Sequence, residues 1–77
     1  MFKTWLKINM IDKSFSRMKL ASSIGCSKAT VDKWLAGSCY PKVSALWAIC
    51  GVLFDEHDSD DQYLVASRYI VEEIQCG

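Results

Sequence analysis

Between Arg17 and Pro41 the chain carries a pattern that few folds accommodate. A short helical segment is followed by Gly25-Cys26-Ser27, a second short helical segment, Gly37, and then Pro41 after a brief loop. Met18, Leu20, Ala21 and Ile24 are the apolar members of the first segment, Arg17–Ile24, and Ser16 stands where a cap belongs. Gly25 follows at once, where a left-handed residue ends a helix without the penalty that a side chain meets. Ser27 caps the second segment, Lys28–Ala36, whose apolar members are Val31, Trp34 and Leu35, and Gly37 closes it. Two helices this short, joined by a tight turn that contains glycine, make a helix-turn-helix unit over residues 17–36. The spacing is self-consistent: Ala21 is small where the second helix crosses the first, and Ile24, Val31 and Trp34 point inward to fix the crossing.

The flanking segments are helical too. Phe2, Trp5, Leu6 and Asn9/Met10 recur at three- and four-residue spacing, which predicts an amphipathic first helix ending near Asp12. Val43–Phe54 is almost wholly apolar and reads as a buried fourth helix. Ser59-Asp60-Asp61-Gln62 reads as a capping box, which predicts a fifth helix from Asp60 to about Gln75. Trp5, Met18 and Trp47 fall at helical spacing with other apolar residues and are expected in the core. With 51% hydrophobic residues in 77, disorder is excluded, and a single Pro with four Gly argues against a loop-rich or all-β chain. The expectation is an all-α, five-helix fold forming one domain over residues 1–77.

The nine basic and nine acidic residues cancel, but they are not mixed. Residues 1–54 carry eight basic residues against Asp12 and Asp32, a balance of +6, while residues 55–77 carry Arg68 against seven acidic residues, a balance of −6. Such polarity points to an anionic partner for the basic part. The first residues are interrupted by Lys3, Lys7 and Asn9, leaving no apolar core of a signal peptide, so the cytoplasm is the expected compartment. No apolar run is long enough to span a membrane. Cys26, Cys39, Cys50 and Cys76 form no C-x-x-C pair and His57 is the only histidine, so no metal site is expected. The thiols read as reduced, two of them buried and two near the surface. No nucleophile stands at a suggestive spacing from His57 and no glycine-rich loop can cradle phosphate, so neither enzyme activity, a cofactor nor a small-molecule ligand is expected.

The run Leu20-Ala21-Ser22-Ser23-Ile24-Gly25-Cys26-Ser27-Lys28-Ala29-Thr30-Val31-Asp32-Lys33-Trp34-Leu35-Ala36-Gly37-Ser38-Cys39-Tyr40-Pro41 resembles the Cro/C1-type (XRE-like) helix-turn-helix family of phage and bacterial repressors. Every position of the family pattern L-A-x-x-h-G-h-S-x-x-T-h-x-x-W/h-x-x-G-x-x-x-P, with h apolar, is met, and the likeness extends over roughly residues 4–55. It implies a compact five-helix, lambda-repressor-like DNA-binding regulator, often dimeric. One departure stands out. Many members carry a buried Arg near the end of the first helix, paired with a Glu after the residue matching Trp34. Here these sites are Met10 and Leu35. Losing both charges together avoids stranding one, and predicts that Met10 and Leu35 meet in the core.

With Val31, Trp34 and Leu35 inward, the opposite face of the third helix presents Lys28, Ala29, Thr30, Asp32 and Lys33 to the major groove. Lys28 and Lys33 can donate to guanine, while Ala29 and Thr30 can touch a thymine methyl. The resemblance adds Arg17, at the position that contacts phosphate and sometimes a base edge, where members more often have Gln. Ser27, Ser38, Tyr40 and Lys42, with Lys19, are the candidate phosphate contacts, because cap and loop residues flank the groove. The fifth helix is apolar on more than one face. Tyr63, Ala66, Ile70 and Ile74 form one stripe, and Leu64, Val65, Tyr69 and Val71 spread beyond it. A homodimer through Tyr63, Leu64, Val65, Tyr69 and Val71 on an inverted-repeat site is one expectation; the other is that this helix completes a monomeric core. Two functions fit the chain: a sequence-specific regulator of double-stranded DNA, or a helix-turn-helix protein-interaction module acting through the fifth helix.

Overall fold

Serine side chains set the starts of the two short central helices. Ser16 Oγ accepts the Lys19 N–H at 3.1 Å and Ser27 Oγ accepts the Thr30 N–H at 3.2 Å, each satisfying an amide with no intrahelical partner. Gly25 and Gly37 end them in the left-handed region, with φ of 79° and 80°. The computed structural model describes residues 1–76, with side chains through Ile74. Its helices are α1 (Phe2–Asp12), α2 (Arg17–Ile24), α3 (Lys28–Ala36), α4 (Val43–Leu53) and α5 (Glu56–Cys76), and no strand occurs among the described residues.

α2 packs on α3 and α4, α1 packs on α3 and α5, and α4 packs on α5. Phe2, Leu6, Leu20, Val31, Ile49 and Cys50 are fully enclosed at the centre. Burial pushes the Cys50 thiol up to about 11, because the thiolate would lose its hydration there. Ala21 is only 3% exposed at the α2–α3 crossing, as its small size requires. Met10, which is buried, and Leu35, which is half-buried, both line one cavity of about 300 Å³ between α1, the start of α2 and the end of α3, so the two uncharged replacements border the same space.

Four expectations are corrected. α5 begins at Glu56, ahead of the Ser59 capping box, because Asp55 Oδ1 accepts the Asp58 N–H at 3.2 Å and Glu56 and Asp58 suit the positive end of the dipole. Met18 is 62% exposed and Trp47 44% exposed, rather than buried. Each lies roughly 110° round its helix from the centre of the buried face, at the rim of a stripe that Leu20, Ala21 and Ile24, or Leu46, Ile49, Cys50 and Leu53, already fill. Nor is α4 enclosed all round: Val43, its first residue, is 64% exposed. Among the cysteines, Cys50 is buried and Cys26 and Cys39 are half-buried; the expected split into two buried and two surface thiols turns on Cys76, whose side chain lies outside the described residues.

α5 is held by long-range polar contacts as well as by Ala66, which is fully buried. Gln62 accepts the Trp5 indole N–H at 3.1 Å. Glu73 accepts the Phe2 backbone N–H at 2.7 Å, capping the start of α1, and the Tyr40 hydroxyl at 3.2 Å. Trp47 stacks on Tyr63 with ring centroids 4.0 Å apart and planes 8° from parallel.

Candidate nucleic-acid interface

The outward face of α3 follows from its inward one. Val31 is fully buried and Trp34 is 4% exposed, which turns Lys28, Ala29 and Lys33 to solvent with Asp32 half-covered beside them. Arg17, the first residue of α2, reaches this face from the neighbouring helix. Its Nη1 stands 3.2 Å from Asp32 Oδ1, while Lys28 Nζ stands 3.3 Å from Asp32 Oδ2. Asp32 Oδ1 is closed to water and faces the guanidinium outside good hydrogen-bond geometry, so the contact is an ion pair rather than a directed bond.

The flanking polar residues divide into two groups. Ser27 Oγ lies 3.0 Å from Thr30 Oγ1, which turns the Thr30 hydroxyl toward the cap while Thr30 also lines a cleft with Cys39, Tyr40 and Lys42. Ser38 is exposed just past α3, and its N–H closes the helix on the Lys33 carbonyl at 3.0 Å. Lys42 is exposed at the start of α4 and makes no capping bond, which leaves the first amides of α4 open to an anion. Lys19 and Tyr40 are engaged elsewhere. Lys19 Nζ sits 4.7 Å above the Phe15 ring, and the Tyr40 hydroxyl points to Glu73 on α5. Burial, and then the Glu73 carboxylate, hold the Tyr40 phenol above its ordinary value, so this hydroxyl stays a donor.

Five of the residues expected to contact DNA therefore converge: Arg17, Lys28, Ala29 and Lys33 on the open face, with Thr30 at its edge. The residue that sequence reasoning missed as an organiser is Asp32. Its four-residue spacing from Lys28 is readable; its pairing with Arg17 depends on how α2 and α3 cross.

On α5, Leu64, Val65 and Val71 are 64%, 39% and 51% exposed, whereas Tyr63 and Tyr69 are partly packed against the core. Ile74, on the stripe with Tyr63, Ala66 and Ile70, is 60% exposed. Among the described residues no three potential metal ligands come together, and no helix is long and apolar enough to cross a membrane.

A family model described as the Cro/C1-type HTH DNA-binding domain matches residues 6–53. No curated protein and no solved structure is significantly similar to the chain.

Proposed function

The chain belongs to the Cro/C1-type helix-turn-helix DNA-binding domain family, and on that premise we propose that it is a sequence-specific transcriptional regulator, a small repressor of a phage or other mobile element. It binds an inverted-repeat operator in the cytoplasm as a homodimer, with α3 in the major groove. The observation that carries this reading is the α3 face: exposed Lys28, Ala29 and Lys33, backed by buried Val31 and Trp34 and joined by Arg17. Lys28, Lys33 and Arg17 donate to base edges, Ala29 and Thr30 touch thymine methyls, and Ser27, Ser38 and Lys42 hold phosphates. Tyr40 and Lys19 join the phosphate contacts once released from Glu73 and Phe15.

Size supports the dimer. The molecule measures 31 × 29 × 21 Å, and recognition helices in successive major grooves stand about 34 Å apart, so one copy fills one half-site. Exposed Leu64, Val65 and Val71 give α5 an apolar surface for the second copy, with Tyr63 and Tyr69 at its margins.

Selection from a random DNA pool, followed by binding measurements at several salt concentrations, tests the reading. The expected outcome is an inverted-repeat site, a steep fall of log affinity with log salt, and dimers in sedimentation. Changing Lys28 and Lys33 together to Ala should weaken the selected site at least about tenfold more than random duplex. Equal loss on both makes them phosphate contacts. Binding that is absent or indifferent to salt favours the interaction-module reading, which the apolar face of the acidic α5 supports.

A further inference from the structure

Asp32 is the only acidic residue between Asp12 and Asp55, and it lies on the face crowded with cations. A carboxylate there repels phosphate, so plain attraction to DNA does not account for it. Its geometry does. The two oxygens are divided between two cations, Oδ1 facing Arg17 at 3.2 Å and Oδ2 facing Lys28 at 3.3 Å. Arg17 opens α2 and Lys28 opens α3, so this one carboxylate ties together the leading ends of both helices of the unit. Arg17 and Lys28 remain half-exposed, with side-chain exposures of 54% and 50%, so their outer donors stay free while their long chains are steered.

We propose that Asp32 is a positioning residue that sets the sequence specificity of the interface, by holding the Arg17 guanidinium and Lys28 ammonium side by side before DNA arrives. This inference rests on the DNA-binding reading above. Two consequences follow from the same charge. Cations held in one pose lose less freedom on forming directed bonds to bases, which favours the cognate site. Cations paired with a carboxylate are less available to roam over phosphates, and the carboxylate itself repels the backbone, which disfavours random duplex. Ion pairs between side chains as half-exposed as these add little to folding, so the arrangement is poorly explained as a stability device.

The test compares the unaltered full chain with Asp32→Asn and Asp32→Glu, on the selected site and on a scrambled duplex, at several salt concentrations. For Asp32→Asn the expected result is an almost unchanged melting temperature, scrambled-duplex binding tighter by about tenfold, and a steeper salt dependence on that duplex. Selected-site binding should be unchanged or weaker, so the ratio between the two duplexes falls at least about tenfold. Asp32→Glu, which keeps the charge, should recover most of that ratio. If Asp32→Asn tightens both duplexes by the same factor, its charge acts only as general repulsion and the positioning role is overturned. A preference altered at one base pair alone makes Asp32 a direct base contact, which overturns the positioning role as well. Should the unaltered chain bind no duplex at all, the DNA-binding reading falls, and this inference falls with it.

Discussion

The α2–α3 unit and α5 are built on opposite plans. In α2–α3 the ends are fixed by neighbours in the chain: Ser16 and Ser27 cap their own helices, and Gly25 and Gly37 stop them. The outward side chains stay half-exposed, and Asp32 links Arg17 and Lys28 without burying them. α5 starts on a local cap, but it is seated by partners far away in sequence: Trp5 on Gln62, Phe2 and Tyr40 on Glu73, and Trp47 on Tyr63. The result is a division of labour. The basic unit presents groups whose rest positions are preset, and the acidic helix braces the body that carries it. Glu73 is where the plans meet, because it caps the start of α1 and holds the loop residue Tyr40 beside the proposed DNA face.

Two tryptophans, one from each plan, give the largest expected contrast. Trp34 is 4% exposed beneath the proposed DNA face, and Trp34→Ala should cost about 3–5 kcal/mol, enough to unfold a chain of this size. Trp47 is 44% exposed and stacks on the Tyr63 ring, so Trp47→Ala should cost about 1 kcal/mol. Urea unfolding followed by circular dichroism measures both. Equal costs would break the comparison by making the α4–α5 stack as much a core as the α3 anchor.

Glu73→Gln is the next test, and it acts at the junction. It replaces a charged cap of α1 by a weaker acceptor, with an expected loss of about 1 kcal/mol from the cap, and it also loosens the Tyr40 contact. The pH dependence has a fixed sign. Tyr40 is held above its ordinary 10.0, so the native state favours the protonated phenol. That contribution is present in full below the ordinary value and disappears as pH rises through the raised one. An ultraviolet titration should show one tyrosine ionising late, and Glu73→Gln should bring it back toward the ordinary range. A late tyrosine that ignores the substitution would assign the effect to burial alone, leaving α5 uncoupled from the loop.

The same contrast explains what is legible in the chain. The bounds of α2 and α3 follow from serine, glycine and apolar spacing, all signals that act within a few residues. The outward set of Lys28, Ala29 and Lys33 follows because a helix with Val31 and Trp34 inside has only one outside. Phe2 to Glu73 and Trp5 to Gln62 are illegible, since nothing local marks a glutamate or glutamine as the partner of a residue at the other end of the chain. The start of α5 reads too late because Ser59 offers as good a local cap as Asp55, and the choice between them lies in which start suits the whole packed helix. Met18 and Trp47 meet a related limit: spacing finds an apolar stripe, but its edges depend on how wide the neighbouring helix is.

Backbone conformation supplies the smallest and cleanest comparison. Ser14, in the turn before α2, has φ of 59° and is the only residue other than glycine there among the described residues. Its left-handed conformation strains a side chain that Gly25 and Gly37 do not have. Nothing lies within 4 Å of a Cβ built on Gly25, so Gly25→Ala suffers only the conformational penalty, about 1–2 kcal/mol. At Gly37 a Cβ also meets Lys3 Cδ at 3.2 Å, so Gly37→Ala should cost slightly more as the Lys3 side chain gives way. Ser14→Gly reverses the sign. The strain is relieved, but the unfolded chain gains freedom, so the net gain should stay below about 1 kcal/mol. Melting temperatures of the three variants measure the order. If Ser14→Gly destabilises the fold, the Ser14 side chain has a role that backbone strain does not capture, and the turn into α2 is held by more than local geometry.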